Sequence, residues 1–162
     1  MGVLVGEAIQ PSVARADINQ IPGAGPGTID GDTPTATGAG AFSIGRAAIT
    51  AGDVSFAIGV EATALQNDAV AIGHSALADN KQTTAIGGNA NALGEGATAF
   101  GFTAEANGRQ SAAFGSGAKA EADFTTALGP ASCAAGNSAT AVGYFADRKS
   151  TRLNSSHRCI SY

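Results

Sequence analysis

The sequence predicts an all-β fold, a parallel β-roll (solenoid) of about eight 14-residue coils. Three observations predict it. A glycine-centred repeat keeps one length throughout, the composition is dominated by small residues, and bulky and small side chains alternate beside each repeating glycine.

The repeat is the strongest of the three. Gly45, Gly59, Gly73, Gly87, Gly101, Gly115, Gly129 and Gly143 follow one another at intervals of 14 residues, with no insertion. The residue before each is large and apolar: Ile44, Ile58, Ile72, Ile86, Phe100, Phe114, Leu128 and Val142. The residue before that is Ser43 or an alanine. Alanine also stands three residues after the glycine, as in Ala62 and Ala76, with Ser132 the exception; five after it, Thr50 is followed by alanines from Ala64 to Ala134. Periods of this kind mark repeat architectures. A ninth, degenerate copy is in phase from Gly31, although Asp30 breaks its apolar position.

Composition narrows the class. The 162 residues, a one-domain length, include 36 Ala and 23 Gly, over a third of the chain, whereas Leu, Ile, Val and Phe together number 30. A chain so poor in large aliphatic groups cannot build a thick core. The 14% charged content argues against disorder. Glycine is not at every third position, which excludes a collagen helix. No apolar run approaches a helical membrane span.

Each element follows from the coil. Two stretches of about five residues alternate in the period of a strand. Between them lie Gly or Asn, including Gly52, Gly94 and Gly108, which tolerate the positive φ of a tight corner. Like strands then stack in parallel about 4.8 Å apart, and eight coils make a rod of roughly 35 Å. One coil has no stable core, so the stack is what folds. In the strand before each glycine, pairs such as Ser55 and Ala57, or Ala69 and Ala71, share one face and fit a narrow interior. The residue immediately before the glycine faces the other way. The eight bulky residues from Ile44 to Val142 therefore form an outer apolar ridge, a candidate self-association interface. Cyclic closure with three ridges on one axis suits a rod, though the ridge itself does not count subunits.

The flanks read differently. Residues 1–16 end in Ala14-Arg15-Ala16, a small-x-small pattern that fits either a truncated signal peptide or an ordinary leader. Residues 17–38 are a Gly/Pro-rich linker or a degenerate first coil, and 39–146 form the roll. Residues 147–162 resemble a translated sequencing adapter in one frame, which predicts a disordered artefact after Ala146 and a chain that is a fragment. Without that tail, residues 1–146 carry 5 basic and 12 acidic groups, a net charge of −7. That balance removes any nucleic-acid reading.

Chemistry-bearing groups are sparse. His74 follows Gly73 at a corner and reads as solvated; it and Asn67 are the candidate ligand contacts. Cys133, beside an Ala-type position, reads as a small buried thiol. Acidic residues scatter over unlike coil positions. Gly23-Ala24-Gly25-Pro26-Gly27 lacks the Gly-Lys-Ser/Thr of a phosphate loop. No catalytic, metal or cofactor site is expected.

The best copy, Asn67-Asp68-Ala69-Val70-Ala71-Ile72-Gly73-His74-Ser75-Ala76, resembles the head repeat of YadA-like trimeric autotransporter adhesins. So do Ser55-Phe56-Ala57-Ile58-Gly59 and Asn137-Ser138-Ala139-Thr140-Ala141-Val142-Gly143. The resemblance covers residues 41–146. It implies a left-handed roll, a homotrimer, display on a Gram-negative outer membrane, and non-catalytic adhesion to host surfaces or extracellular matrix. Membrane attachment is implied only through a C-terminal anchor missing from this chain. A fibre segment of a phage tail or other secreted appendage is the alternative.

Overall fold

The computed structural model describes residues 34–149. The expectations for residues 1–33 and 150–162 lie outside the described residues. Within them, β1 (Thr35–Ala36), β2 (Phe42–Ile44) and β3 (Ile49–Thr50) set a pattern that repeats every 14 residues up to β16 (Thr140–Val142) and β17 (Asp147–Arg148). The odd-numbered strands form one nine-stranded sheet and the even-numbered strands one eight-stranded sheet. All pairings are parallel and join residues 14 apart; Thr98, Ala99 and Phe100, for example, pair with Ala112, Ala113 and Phe114. The fold is therefore the all-strand parallel solenoid that the repeat predicts.

Stacking satisfies the backbone, coil against coil. Thr98 N donates to Ser111 O at 2.8 Å on one side, and Gly101 N donates to Ile86 O at 2.8 Å on the other. Corners close locally, as where Ala104 N donates to Gly101 O at 3.3 Å. Strands of two or three residues could not persist alone. They persist because each finds the same strand one coil away.

The interior is as thin as the composition requires. Among the described residues every buried apolar side chain is an alanine, and the largest fully buried side chains are Thr50, Thr83 and Thr125. Most of the polar ones bond to backbone carbonyls, several of them at the corners. Thr83 Oγ1 donates to Asn80 O at 2.5 Å, Thr125 Oγ1 to Ala122 O at 2.6 Å and Ser132 Oγ to Gly129 O at 2.8 Å. For these hydroxyls the bond offsets the cost of burial.

Corner geometry differs from the expectation in one respect. The repeating glycines do adopt left-handed φ, from +121° at Gly143 to +138° at Gly101. Gly52, Gly94 and Gly108 do not. A Cβ on any of these three would instead collide with the backbone carbonyl one coil ahead, that of Gln66, Gly108 and Ala122 respectively. The left-handed corner positions recur every seven residues and are filled mostly by other types, among them Glu61, Asp68, Gln82 and Phe124. Corner hydrogen bonds such as Glu61 N to Arg46 O at 2.9 Å hold them there.

The C-terminal boundary also differs. Residues from 147 onward are expected to be disordered, yet Asp147–Arg148 pairs with Cys133–Ala134. The bonds are main-chain ones: Cys133 N donates to Ala146 O at 2.7 Å and Ala135 N to Arg148 O at 2.9 Å. An open sheet edge accepts backbone with little regard for side chain. At the other end, Thr35–Ala36 pairs with Ile49–Thr50, the place a degenerate first coil would take.

Candidate self-association face

Strand alternation decides which residues leave the coil. Ala57, Ala71, Ala85, Ala99, Ala113 and Ala127 point inward and are fully buried. Their C-terminal neighbours point outward. Phe100 is 51% exposed, Leu128 47% and Val142 63%. Ile58 and Phe114 are also exposed, while Ile44, Ile72 and Ile86 are partly shielded by their neighbours along the stack. All eight ridge residues thus lie on the outer surface of the even-strand sheet. Their aromatic members stack along it, with the Phe100 and Phe114 rings 6.3 Å apart.

A second outward column stands two residues before the ridge, and the repeat signature does not mark it. It holds Phe42, Phe56 and Val70 in the first coils, then Thr84, Thr98, Ala112, Thr126 and Thr140. Phe42 and Phe56 lie 6.1 Å apart, centroid to centroid. The size change along this column hides it from a period search. The Thr members are β-branched residues on a pleated surface, which is sufficient reason for their row.

Charge separates the two outer faces. Among the described residues, no outward position of the even strands is charged, whereas the odd strands present Glu105, Lys119 and Asp147. Lys119 Nζ donates to Glu105 Oε2 at 3.0 Å across adjacent coils, which holds the ammonium pKa above its ordinary value. An uncharged apolar face beside a solvated one is the distribution expected when one side meets a partner.

The remaining candidates do not converge. His74 is exposed, with Nδ1 3.3 Å from Ser75 Oγ, which itself donates to Glu61 Oε2 at 3.0 Å. Asn67 is exposed at the opposite corner, where its Oδ1 accepts from Asp53 N at 3.2 Å. They are separated by the breadth of the sheet, and Asn67 already serves the stacking of coils. Cys133 is half-buried rather than buried. Its neighbours Ser132 and Ala134 take the inward positions, so alternation turns the thiol out between Lys119 and Asp147. Partial burial, with Glu121 and Asp147 nearby, pushes its pKa up and keeps it a thiol. Among the described residues no three His, Cys, Asp or Glu side chains gather as a metal site.

The fold and this face define a class: a parallel β-solenoid with an alanine interior, one charged sheet and one uncharged apolar sheet. The chain belongs to the family of YadA head-domain repeats, whose two-copy model matches residues 52–76, 78–104, 106–132 and 125–146, more than half of the sequence. That family is one of adhesin heads and not of enzymes. A comparison with curated proteins finds no match.

Proposed function

We propose that the chain is the head of a trimeric cell-surface adhesin, non-catalytic, displayed on a Gram-negative outer membrane and adhering to host surfaces or extracellular matrix. The observation that carries the reading is the uncharged ridge sheet, on a chain of the YadA head family. Eight stacked apolar side chains along one outer face, five of them exposed, call for a partner. The nearest partner of matching period and length is another copy, and three copies about an axis bury all three ridges. Burying the ridge leaves the charged sheet and the corners outward, where His74 and Asn67 are available to a ligand.

Sedimentation of the purified chain tests the assembly, and adhesion of beads carrying it to matrix-coated surfaces tests the activity. A three-chain species that adheres is expected. Ile86→Asp with Leu128→Asp should yield single chains of unchanged β-content that no longer adhere. Three-chain assemblies that survive the double substitution would overturn the ridge reading. A trimer adhering to no matrix or cell surface would overturn the adhesive one.

A further inference from the structure

Asn107-Gly108 is the one Asn-Gly pair in the sequence. It stands where an odd strand, Glu105–Ala106, runs into its corner. The Asn107 side chain is exposed, and among the described residues its amide makes no hydrogen bond. The peptide bond joining the pair is equally untied. Asn107 N is held, donating to Ala120 O at 2.9 Å, but among the described residues the Asn107 carbonyl accepts no main-chain hydrogen bond and Gly108 N donates none. Turning that peptide therefore breaks no hydrogen bond between coils, and Gly108 brings no Cβ to obstruct its own nitrogen.

The other described asparagines lack this combination. Asp68 N, after Asn67, donates to Asp53 O at 3.0 Å; Ala90 N, after Asn89, to Gly87 O at 3.3 Å; Ser138 N, after Asn137, to Asp123 O at 2.9 Å. Lys81 N is held at 2.9 Å by the Asn80 side-chain oxygen, and Ala92, after Asn91, is fully buried.

We infer that Asn107 is a self-modifying site, at which attack by the Gly108 nitrogen expels the side-chain amide and leaves a carboxylate on the outward face of the odd-strand sheet. Gly108 N gives its proton to hydroxide and bonds to Asn107 Cγ. The Cγ–Nδ2 bond breaks, and ammonia departs with a proton from water, leaving a cyclic imide. Water then opens the ring. Cleavage at Cγ gives aspartate; cleavage at the main-chain carbonyl gives isoaspartate, in which the main chain runs through Cβ and Cγ. Solvent supplies every co-reactant, and no second copy of the chain is needed.

Either product disturbs the stack. Aspartate sets a carboxylate one coil from Glu121 in the same outward column, where like charges repel. Isoaspartate lengthens the main chain by one methylene directly before Gly108. A Cβ on Gly108 would already collide with Ala122 O, and Arg109 N donates to Asp123 Oδ1 at 2.8 Å. The added atom displaces both contacts, so the modification loosens one coil from the next at this corner.

Peptide mapping of the full chain, aged in warm, mildly alkaline buffer, tests this chemistry. Asn107 should gain the mass of one deamidation about five-fold or more faster than Asn67, Asn89 or Asn137, the factor set by the main-chain hydrogen bond that those sites must break. An isoaspartyl methyltransferase should label the aged chain at residue 107. Conversion at the rate of the other three, or only after unfolding in urea, overturns the inference. The thermal midpoint should fall with age, and Asn107→Gln, whose longer side chain closes a ring less readily, should hold it steady. An equal fall in both proteins overturns the link from Asn107 to the stack.

Discussion

Asp123 holds Arg109 of the preceding coil at three points. Its Oδ1 accepts the Arg109 backbone N–H at 2.8 Å, and its Oδ2 accepts Nε at 2.9 Å and an Nη2 proton at 2.7 Å. The backbone part recurs elsewhere in the stack: Asp53 accepts Ala39 N at 2.8 Å. An Asx side chain at this corner therefore pins one coil to the last, and the guanidinium of Arg109 adds a charged contact to it.

That addition predicts a pH effect. The Arg109 side chain, then its backbone N–H, hold the Asp123 carboxyl below its ordinary range. A carboxyl depressed in the folded state stabilises fully above the ordinary range, and the stabilisation is lost as pH falls through the lower folded value. The thermal midpoint should therefore decline below about pH 4, and Asp123→Asn should flatten part of that decline while keeping the backbone acceptor. Both side chains are substantially solvated, so salt should shrink the difference. Parallel pH curves for the two proteins would contradict the assignment.

Ser111 is the weak point of the interior. Its Oγ is buried and has no hydrogen-bond partner. Ser55, in the equivalent place, donates to Gly52 O at 2.5 Å, while Ala69, Ala97 and Ala139 fill the slot with no polar atom. Ser111→Ala should raise unfolding free energy by about 1 kcal/mol, and Thr83→Ala should lower it by a similar amount. Urea titration of the two variants checks the opposite signs.

The alanine interior should resist enlargement. Ala99 is fully buried, with equivalent alanines above and below it in the stack. Adding two methyls by Ala99→Val has nowhere to expand except by parting the sheets, at a cost of about 1–3 kcal/mol. Calorimetry showing an unchanged midpoint would mean that the interior is looser than its burial implies.

The repeating glycines should be intolerant for two reasons at once. Gly101 has φ +138°, and a Cβ there would lie 2.5 Å from Gly115 O. Gly101→Ala should cost more than the roughly 1 kcal/mol of an ordinary helix or strand glycine exchange, because strain and collision add. Asn89, a left-handed residue of an adjoining coil, should accept Ala almost silently, as Ala47 and Ala131 already occupy that position. Comparable losses at 89 and 101 would show that φ, not the inter-coil approach, sets the requirement.

Much of this was legible before any coordinates. The contrast between Ala57 and Ile58, renewed every 14 residues, determines strand, interior and outer face together, since side chains two apart share a face. What escaped was whatever the period does not repeat. The column beginning with Phe42 and Phe56 turns to threonine midway, so no single residue type announces it. The left-handed corners escaped because residues such as Glu61 and Gln82 carry no glycine signal; inter-coil backbone bonds impose their conformation. The glycines at 52, 94 and 108 stand out in the sequence, but not for the positive φ expected of them. They make room for a neighbouring carbonyl and do not turn the chain. The pairing of Asp147–Arg148 was invisible in principle, as it rests on main-chain groups common to every sequence.

The direction of the inter-coil hydrogen bonds has a mechanical meaning. They run along the rod, perpendicular to the strands, so traction on the ends loads them head-on, one coil at a time, and not in collective shear. A coil that yields releases 14 residues of contour, on the order of 45 Å of new length, in place of a single strand spacing. A head tethered at one end and gripped at the other would lengthen in steps under load and dissipate work at each, the behaviour of a shock absorber and not of a stiff pin.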